Sequence, residues 1–226
     1  MRKWKVFLIL SLGLMLAGCG LFSELPTLPP DKPPASLQAS CGAERDSIIT
    51  SWSPVERASY YEIFRATAAD GPYERLDTIE GTSFTDIVGS ENQGKWYWYK
   101  IRACNAAGCG PESAPVRGYA GRPPAPENVW ATQGDFSDKI RVSWDLVPGA
   151  SDYLVFRDLV RNGTYPTVVA QSVEENFVYD SNVRAATWYW YKVRAHNGFG
   201  YSELSEAAGG YCGPRPIPFA SDEEPN

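Results

Sequence analysis

Apolar and polar residues alternate with a period of two in short segments of this 226-residue chain. In the segment 96–104, one set of side chains is expected to face a core and the other to face away, because successive side chains of a β-strand point to opposite sides. The inward set is Tyr97, Tyr99, Ile101 and Ala103, and the outward set is Trp96, Trp98, Lys100, Arg102 and Cys104. Turn-forming residues separate such segments, and 20 Gly and 18 Pro leave little room for long helices. The pattern predicts an all-β protein.

The same pattern occurs twice along the chain. Trp52 and Trp144 lie 92 positions apart, as do Trp96 and Trp188. The segment from Trp96 to Ala103 is repeated from Trp188 onward with one difference. A unit of about 90 residues has the size at which two packed sheets enclose one core, so the repeat predicts two β-sandwiches in tandem.

Three features of each unit resemble the fibronectin type III domain. They are a tryptophan on strand B (Trp52, Trp144), a Tyr-x-hydrophobic pattern on strand C (Tyr61 and Ile63, Tyr153 and Val155), and a strand F that leads into Asn-x-x-Gly (Asn105 and Gly108, Asn197 and Gly200). The resemblance implies immunoglobulin-like sandwiches at 34–120 and 126–212, joined by the linker 121–125. It also implies that Tyr97 and Tyr189 form tyrosine corners, in which the phenol is hydrogen-bonded to nearby backbone.

The N-terminus has the organisation of an export signal. Residues 1–18 begin with three basic residues and continue as an apolar run to Leu16 that is too short to cross a bilayer. The run ends in Leu16-Ala17-Gly18-Cys19, which resembles the lipobox of bacterial lipoproteins. The resemblance implies cleavage before Cys19, lipidation of Cys19 and attachment of the mature chain to a membrane of the bacterial cell envelope. Because Gly and not Asp follows Cys19, it also implies the outer membrane in a host with two membranes.

Two further segments are expected to lack a folded core. The proline-rich segment 19–33 is predicted to be an extended spacer between the lipid and the first domain. The segment 213–226 ends in Ser-Asp-Glu-Glu-Pro-Asn, has no apolar periodicity and is predicted to be a disordered acidic tail.

Four cysteines remain after Cys19 in a chain expected in an oxidising compartment. Cys104 and Cys109 flank a predicted hairpin turn, and we expect a disulfide between them. Direct pairing of Cys41 with Cys212 requires the two domains to fold back on each other. A bond to another chain and free thiols are the alternatives for these two residues.

Composition excludes several classes of function. The formal net charge is -6 and no basic block follows a phosphate backbone, so we expect no nucleic-acid partner. The chain contains a single histidine, His196, and no nucleophile–base pair, metal-ligand cluster or phosphate-binding loop. We therefore expect a non-enzymatic protein without catalytic residues, cofactors or a metal.

A set of outward-facing side chains on the two strand-F sheets is the candidate site. This predicted aromatic face consists of Phe64, Trp96, Trp98, Leu154, Phe156, Trp188 and Trp190. Exposed aromatic rings can anchor a protein partner or stack on sugar rings, which predicts a protein-binding or spacer module or, alternatively, a carbohydrate- or peptidoglycan-binding lipoprotein. The structural interpretation is that these rings pack on neighbouring Lys and Arg stems and stabilise each sheet.

Overall fold

A computed structural model describes residues 28–216 and consists of two all-β sandwiches in tandem. The predicted fold class is therefore confirmed. The predicted signal peptide, Cys19, the spacer up to residue 27 and the tail from residue 217 lie outside the described residues. Within residues 28–216, no helix has the length and apolar character required to cross a membrane.

The first sandwich contains eight strands and one 3-10 turn, Ser90–Asn92. The strands are β1 (Gln38–Ala39), β2 (Ser47–Ser51), β3 (Tyr60–Ala66), β4 (Glu74–Ile79), β5 (Ser83–Ile87), β6 (Tyr97–Asn105), β7 (Gly108–Glu112) and β8 (Val116–Gly118). One sheet has the order β1-β2-β5 and the other the order β4-β3-β6-β7, in which β8 also pairs with β6. All of these strand pairs are antiparallel.

The second sandwich repeats this plan. Its strands are β9 (Trp130–Ala131), β10 (Ile140–Ser143), β11 (Asp152–Asp158), β12 (Thr167–Val173), β13 (Phe177–Asp180), β14 (Tyr189–Asn197), β15 (Gly200–Tyr201) and β16 (Ala208–Gly210). The sheets have the orders β9-β10-β13 and β12-β11-β14-β15, and β16 pairs with β14. The sequence repeat is thus a repeat of topology.

Each core is built around the repeated tryptophan. The ring centres of Trp52 and Tyr61 are 5.4 Å apart in an edge-to-face arrangement, and those of Trp144 and Tyr153 are 5.3 Å apart. Each tyrosine hydroxyl also accepts a hydrogen bond from a loop amide, that of Val55 at 2.9 Å in the first domain and that of Val147 at 2.7 Å in the second. These bonds fix the loop after the tryptophan strand against the third strand of each domain.

The period-two alternation on β6 gives the inward face correctly but not the burial of every outward residue. Tyr97, Tyr99, Ile101 and Ala103 all belong to the first core. Cys104, assigned outward, is fully buried, and its sulfur is bonded to Cys109 on the adjacent strand. In the second domain, the Tyr189 hydroxyl accepts a hydrogen bond of 3.0 Å from the Arg184 amide, the contact expected of a tyrosine corner.

The two sandwiches meet at a packed joint. Tyr119, near the end of the first domain, belongs to the core cluster of the second domain, and its hydroxyl donates to the Pro148 carbonyl at 2.7 Å. The Asn197 side chain donates to the Gly121 carbonyl at 3.0 Å. Gly149 has φ +82° and lies so close to the Cys41 carbonyl that a Cβ there would be 2.2 Å from the oxygen. A side chain at position 149 would therefore push the domains apart.

The last residues of the predicted spacer lie against the first domain. The Leu28 carbonyl accepts a hydrogen bond from the Asn105 side chain at 2.8 Å, and Asp31 forms an ion pair with Arg57 at 2.8 Å. Pro30 is fully buried beside Gly110, where a Cβ would come within 2.4 Å of the Pro30 carbonyl oxygen. Residues 28–31 are therefore fixed to the domain and are not a free tether.

Candidate functional site

The predicted aromatic face is partly covered in the structure. Six of its seven residues are half-buried, and Trp190 is only 9% exposed. Phe64 lies opposite Lys100 on β6, and in the second domain Leu154 and Phe156 lie opposite residues of β14. The strand register therefore places Phe64, Leu154 and Phe156 beside the long strand of their own domain, and neighbouring side chains cover part of each of the seven residues.

Basic side chains provide much of this cover. The Arg102 guanidinium lies 5.2 Å from the centre of the Phe64 ring, and Arg161 lies 5.3 Å from that of Trp190. Such cation–π contacts contribute about 0.5–1 kcal/mol at exposed sites. They are the contacts anticipated by the structural interpretation of the face, although Arg161, unlike Arg102, comes from a loop and not from the adjacent strand.

The burial of Trp190 depends on residues of the neighbouring strand and could not be inferred from the sequence repeat. Gly209 on the adjacent strand has no side chain, and a Cβ at this position would lie 3.0 Å from the indole ring of Trp190. The indole of Trp188 stacks beside that of Trp190 at 6.3 Å, and Trp188 in turn meets Tyr211 edge to face at 4.9 Å. The ring of Trp190 therefore lies flat on its own sheet.

Trp96 belongs to the joint between the domains. Its ring meets Tyr119 edge to face at 5.1 Å, and the Arg117 guanidinium lies 4.1 Å from the ring centre. Arg117 also forms an ion pair with Glu127 of the second domain at 3.4 Å. Trp96 packs against the core cluster of the second domain, so its role in this structure is to hold the two domains together.

A buried carboxylate organises the outer face of the first domain. Glu62 is 6% exposed and binds Arg102 at 2.6 Å and Arg75 at 2.8 Å. Burial alone would raise the pKa of Glu62, but the hydrogen bonds and charges of the two arginines outweigh it and hold the pKa below its ordinary value. In the repeat, Leu154 takes this position, so the network is specific to the first domain.

A second buried network is common to both domains and was missed by the sequence reasoning. Asp86 accepts the Tyr99 hydroxyl at 2.7 Å and binds Arg65 at 2.9 Å. Burial, followed by the negative charge of Asp86, raises the pKa of Tyr99 far above its ordinary value, so the phenol remains a donor.

The second domain builds the same network from equivalent residues. Asp180 accepts the Tyr191 hydroxyl at 3.0 Å and binds Arg157 at 2.7 Å. Part of this network is visible in the sequence repeat, because its arginines and its tyrosines each recur 92 positions apart. The two aspartates lie 94 positions apart, so an ungapped alignment of the two units does not pair them.

The hairpin tips of the two domains are fastened by different chemistry. Cys104 and Cys109 face each other across β6 and β7 and form the expected disulfide. His196 and Tyr201 occupy the equivalent pair on β14 and β15, and their rings stack at 4.3 Å. The Nδ1 atom of His196 also lies 3.0 Å from a carboxylate oxygen of Asp152.

The two free cysteines lie in different domains, and both contact the core of the second domain. Cys41 is half-buried at the joint and Cys212 is fully buried after β16. Burial raises the pKa of both thiols. In this structure each remains a thiol and packs against the second core.

One group of residues has the spacing of metal ligands within residues 28–216. Ligand atoms of Glu62, Cys104 and Cys109 lie within 4.8 Å of one another. The two sulfurs are bonded to each other and the carboxylate is held by two arginines, so this donor set does not fit a metal ion.

Comparison with known proteins gives similarity to solved structures alone. No protein-family model matches the chain, and no curated protein matches it. The FN1-FN3 domains of chicken CNTN1 are 21% identical and cover 83% of this chain and 69% of that one, with a TM-score of 0.39. An Fn3-like protein from Clostridium thermocellum is 25% identical and covers 39% of this chain and 94% of that one, with a TM-score of 0.36. A structure described as FN3tt mut is 20% identical and covers 40% of this chain and 93% of that one, with a TM-score of 0.33.

Proposed function

We propose that this chain is a lipid-anchored protein of the bacterial cell envelope whose two sandwiches act together as a rigid, non-enzymatic spacer. The observation that carries the proposal is the joint: Tyr119 of the first domain packs in the core cluster of the second. A tether that must bend needs a loose linker, whereas Gly121, Pro123 and Pro124 of this linker are all buried. The structure of the joint favours a fixed angle between the domains.

Contacts at the start of the first domain support the same function. Residues 28–31 are bonded to this domain, so the part of the chain that separates it from Cys19 is shorter than the predicted spacer. A short connection to the lipid restricts the orientation of the two-domain spacer more than a long flexible one would. The lipid itself is proposed on the Leu16-Ala17-Gly18-Cys19 motif, and multiple acyl chains would be needed for stable attachment.

The buried polar groups support a non-enzymatic role. Within residues 28–216, the buried carboxylates of Glu62, Asp86 and Asp180 each bind an arginine. Carboxylates held in this way stabilise a fold and are not poised to exchange protons with a substrate.

The anchor is tested by labelling bacteria that express the full chain with a clickable palmitate analogue. We expect the label on the wild-type chain and its loss in Cys19→Ser, while Cys41→Ser, a matched control outside the motif, keeps it. Label retained by Cys19→Ser would contradict the lipid anchor.

The rigidity of the proposed spacer is tested by measuring the distance between spin labels on the two domains of the full chain. Labels attached through non-natural residues at the exposed positions Ile87 and Leu159 avoid the natural cysteines. We expect a single narrow distance distribution. Gly149→Arg, which introduces the residue of the equivalent position Arg57, should broaden it, whereas Gly81→Arg, a glycine with open space around it, should not. A broad wild-type distribution would contradict the spacer.

A further inference from the structure

The outer face of the three-stranded sheet of the second domain carries an unusual set of side chains. This aromatic–cationic face consists of Trp130, Phe136, Lys139, Arg141, Phe177 and Tyr179. The strand register places Trp130 and Phe177 on either side of Ser143, and Tyr179 opposite Arg141. Alternation along a single strand does not reveal this face, because its aromatic residues lie on two strands, β9 and β13, and on the loop between β9 and β10.

Aromatic and basic side chains interleave along this face. The Arg141 guanidinium lies 4.6 Å from the centre of the Phe177 ring, and the Lys139 ammonium lies 4.7 Å from that of Tyr179 and 5.1 Å from that of Phe136. Tyr179 also meets Phe177 and Phe136 edge to face, at 5.9 and 5.7 Å. These contacts orient five of the six side chains of the face, all but Trp130, before any ligand arrives, which reduces the entropy lost on binding.

Two rings of the face are open to solvent. Trp130 is 50% exposed and Tyr179 is 47% exposed. By contrast, none of the seven residues of the predicted aromatic face is exposed: six are half-buried and Trp190 is buried. Exposed large aromatics that are grouped on one surface mark binding sites more often than scattered ones.

The two cations of the face are not neutralised within the described part of the chain. Among residues 28–216, neither Lys139 nor Arg141 forms an ion pair with a carboxylate. By contrast, Arg65, Arg102 and Arg157 each bind a buried carboxylate. The Nε atom of Arg141 is also buried without a hydrogen-bond partner among these residues. In a chain with a net charge of -6, this face therefore offers positive charge to a ligand.

The first domain shows that the fold does not require this arrangement. On the equivalent face, Gln38 and Ser83 lie on either side of Ser51, and Ile49 lies opposite Thr85. The backbone pairing is the same, but the aromatic rings and cations are absent from these five positions. The aromatic–cationic face is a local addition to the second domain.

We propose that this face binds an anionic polysaccharide. Aromatic rings stack on the apolar faces of sugar rings, and Lys and Arg side chains bind carboxylate or sulfate groups. A flat sheet surface that presents both in alternation matches a polymer in which sugar rings and negative charges alternate. This inference goes beyond the proposed spacer function, and its failure would leave the joint and the lipid anchor unaffected.

The test is a titration of the full chain with three polymers, read by calorimetry and tryptophan fluorescence. Polygalacturonate supplies sugar rings and carboxylates, dextran supplies uncharged sugar rings, and polyglutamate supplies carboxylates without sugar rings. We expect binding of polygalacturonate that weakens as salt is added, and no binding of dextran. Absence of polygalacturonate binding, or equal binding of polyglutamate, would overturn the proposal.

Substitutions copied from the first domain locate the site. Trp130→Gln together with Tyr179→Thr should weaken polygalacturonate binding by about tenfold or more, because both stacking surfaces are lost. Lys139→Ser should weaken it and reduce its salt dependence. The exposed pair Tyr201→Thr and Lys95→Gln removes one ring and one cation elsewhere, so it should bind like wild type. Equal affinity of all these variants would overturn the assignment to this face.

A last variant tests whether the acidic C-terminal segment of the chain, and not a polysaccharide, occupies the face. Asp222→Asn, Glu223→Gln and Glu224→Gln remove three negative charges from the C-terminal segment. We expect this variant to bind polygalacturonate as wild type does. Binding by this variant but not by wild type would overturn the proposal for the intact chain and assign the face to its own C-terminal segment.

Discussion

The first domain closes its β6–β7 hairpin with a covalent bond, whereas the second closes the equivalent β14–β15 hairpin with the stacked rings of His196 and Tyr201. Beneath this difference, both domains bury the same combination of aspartate, arginine and tyrosine. The contrast separates two kinds of interaction. Those present in both domains maintain the sandwich, and those present in one are local solutions that the fold permits but does not require.

The largest expected effect comes from the shared network. Asp86→Ala and Asp180→Ala each leave a half-buried arginine and a buried phenol without their acceptor, which should destabilise the affected domain by about 3–5 kcal/mol. Asp180→Ala should cost more, because the Arg157 side chain is 13% exposed and that of Arg65 is 29% exposed. Hydrogen exchange resolved by peptide measures each domain separately. The exposed Asp70→Ala is the control, and an effect no larger than that of the control would refute the common role.

The disulfide should have the next largest effect, in one domain alone. For the short loop between Cys104 and Cys109, loss of the bond is expected to lower the stability of the first domain by roughly 2 kcal/mol. Urea unfolding with and without reductant measures the loss, and Cys104→Ser with Cys109→Ser serves as the matched variant. Reduction should leave hydrogen exchange in the second domain unchanged, and a similar loss in both domains would break the comparison.

Glu62 should make the first domain depend on pH in a way that its counterpart Leu154 cannot. Glu62→Leu should lower the stability of the first domain by about 1–2 kcal/mol at neutral pH, because the charge-assisted hydrogen bonds to Arg102 and Arg75 are lost.

The sign follows from the lowered pKa of Glu62. The carboxylate stabilises the folded state above its ordinary pKa of 4.5, and this contribution is lost as the pH falls through the lower folded value. The difference between wild type and Glu62→Leu should therefore shrink in acid. Unfolding curves from neutral pH to acid measure it, with the exposed Glu80→Gln as control; a difference independent of pH would contradict the role of the charge.

The smallest effect is expected at the second hairpin. His196→Ala removes the stack on Tyr201 and the contact with Asp152, which should cost about 1 kcal/mol. Amide exchange of β14 and β15 should accelerate while that of the β6–β7 hairpin does not change. Unaltered exchange in β14 and β15 would show that the rings do not fasten the hairpin.

Much of the fold could be predicted from the sequence because it depends on short-range patterns. The alternation around Tyr99 and Ile101 predicts a strand and its inward face, and both residues are fully buried. The pairing of Cys104 with Cys109 could be predicted as well, because only a tight turn separates them. The buried Asp86 and Asp180 could not, since their partners lie on other strands and the aspartates themselves are out of register between the repeats.

For the candidate site, too, the sequence predicts the direction of the side chains but not their exposure. Alternation predicts that Trp98 and Trp190 point away from the core, but exposure depends on what the neighbouring strands carry. Gly209 lets Trp190 lie flat on its sheet, and Arg161 covers the ring from a loop. The aromatic–cationic face was missed for the same reason, because Trp130, Phe177 and Tyr179 are brought together only by pairing with β10.

The sequence by itself determined the two-domain all-β architecture, the inward side chains of β6 and the hairpin disulfide, because these depend on a repeat or on residue spacing along one strand or one turn. Tertiary structure alone decided which outward side chains remain exposed, which charges are paired and how the domains meet. Tyr119 shows why. Its neighbour Ala120 packs in the first core, while Tyr119 itself packs in the second, and no local pattern distinguishes the two roles. Packing between distant segments assigned them.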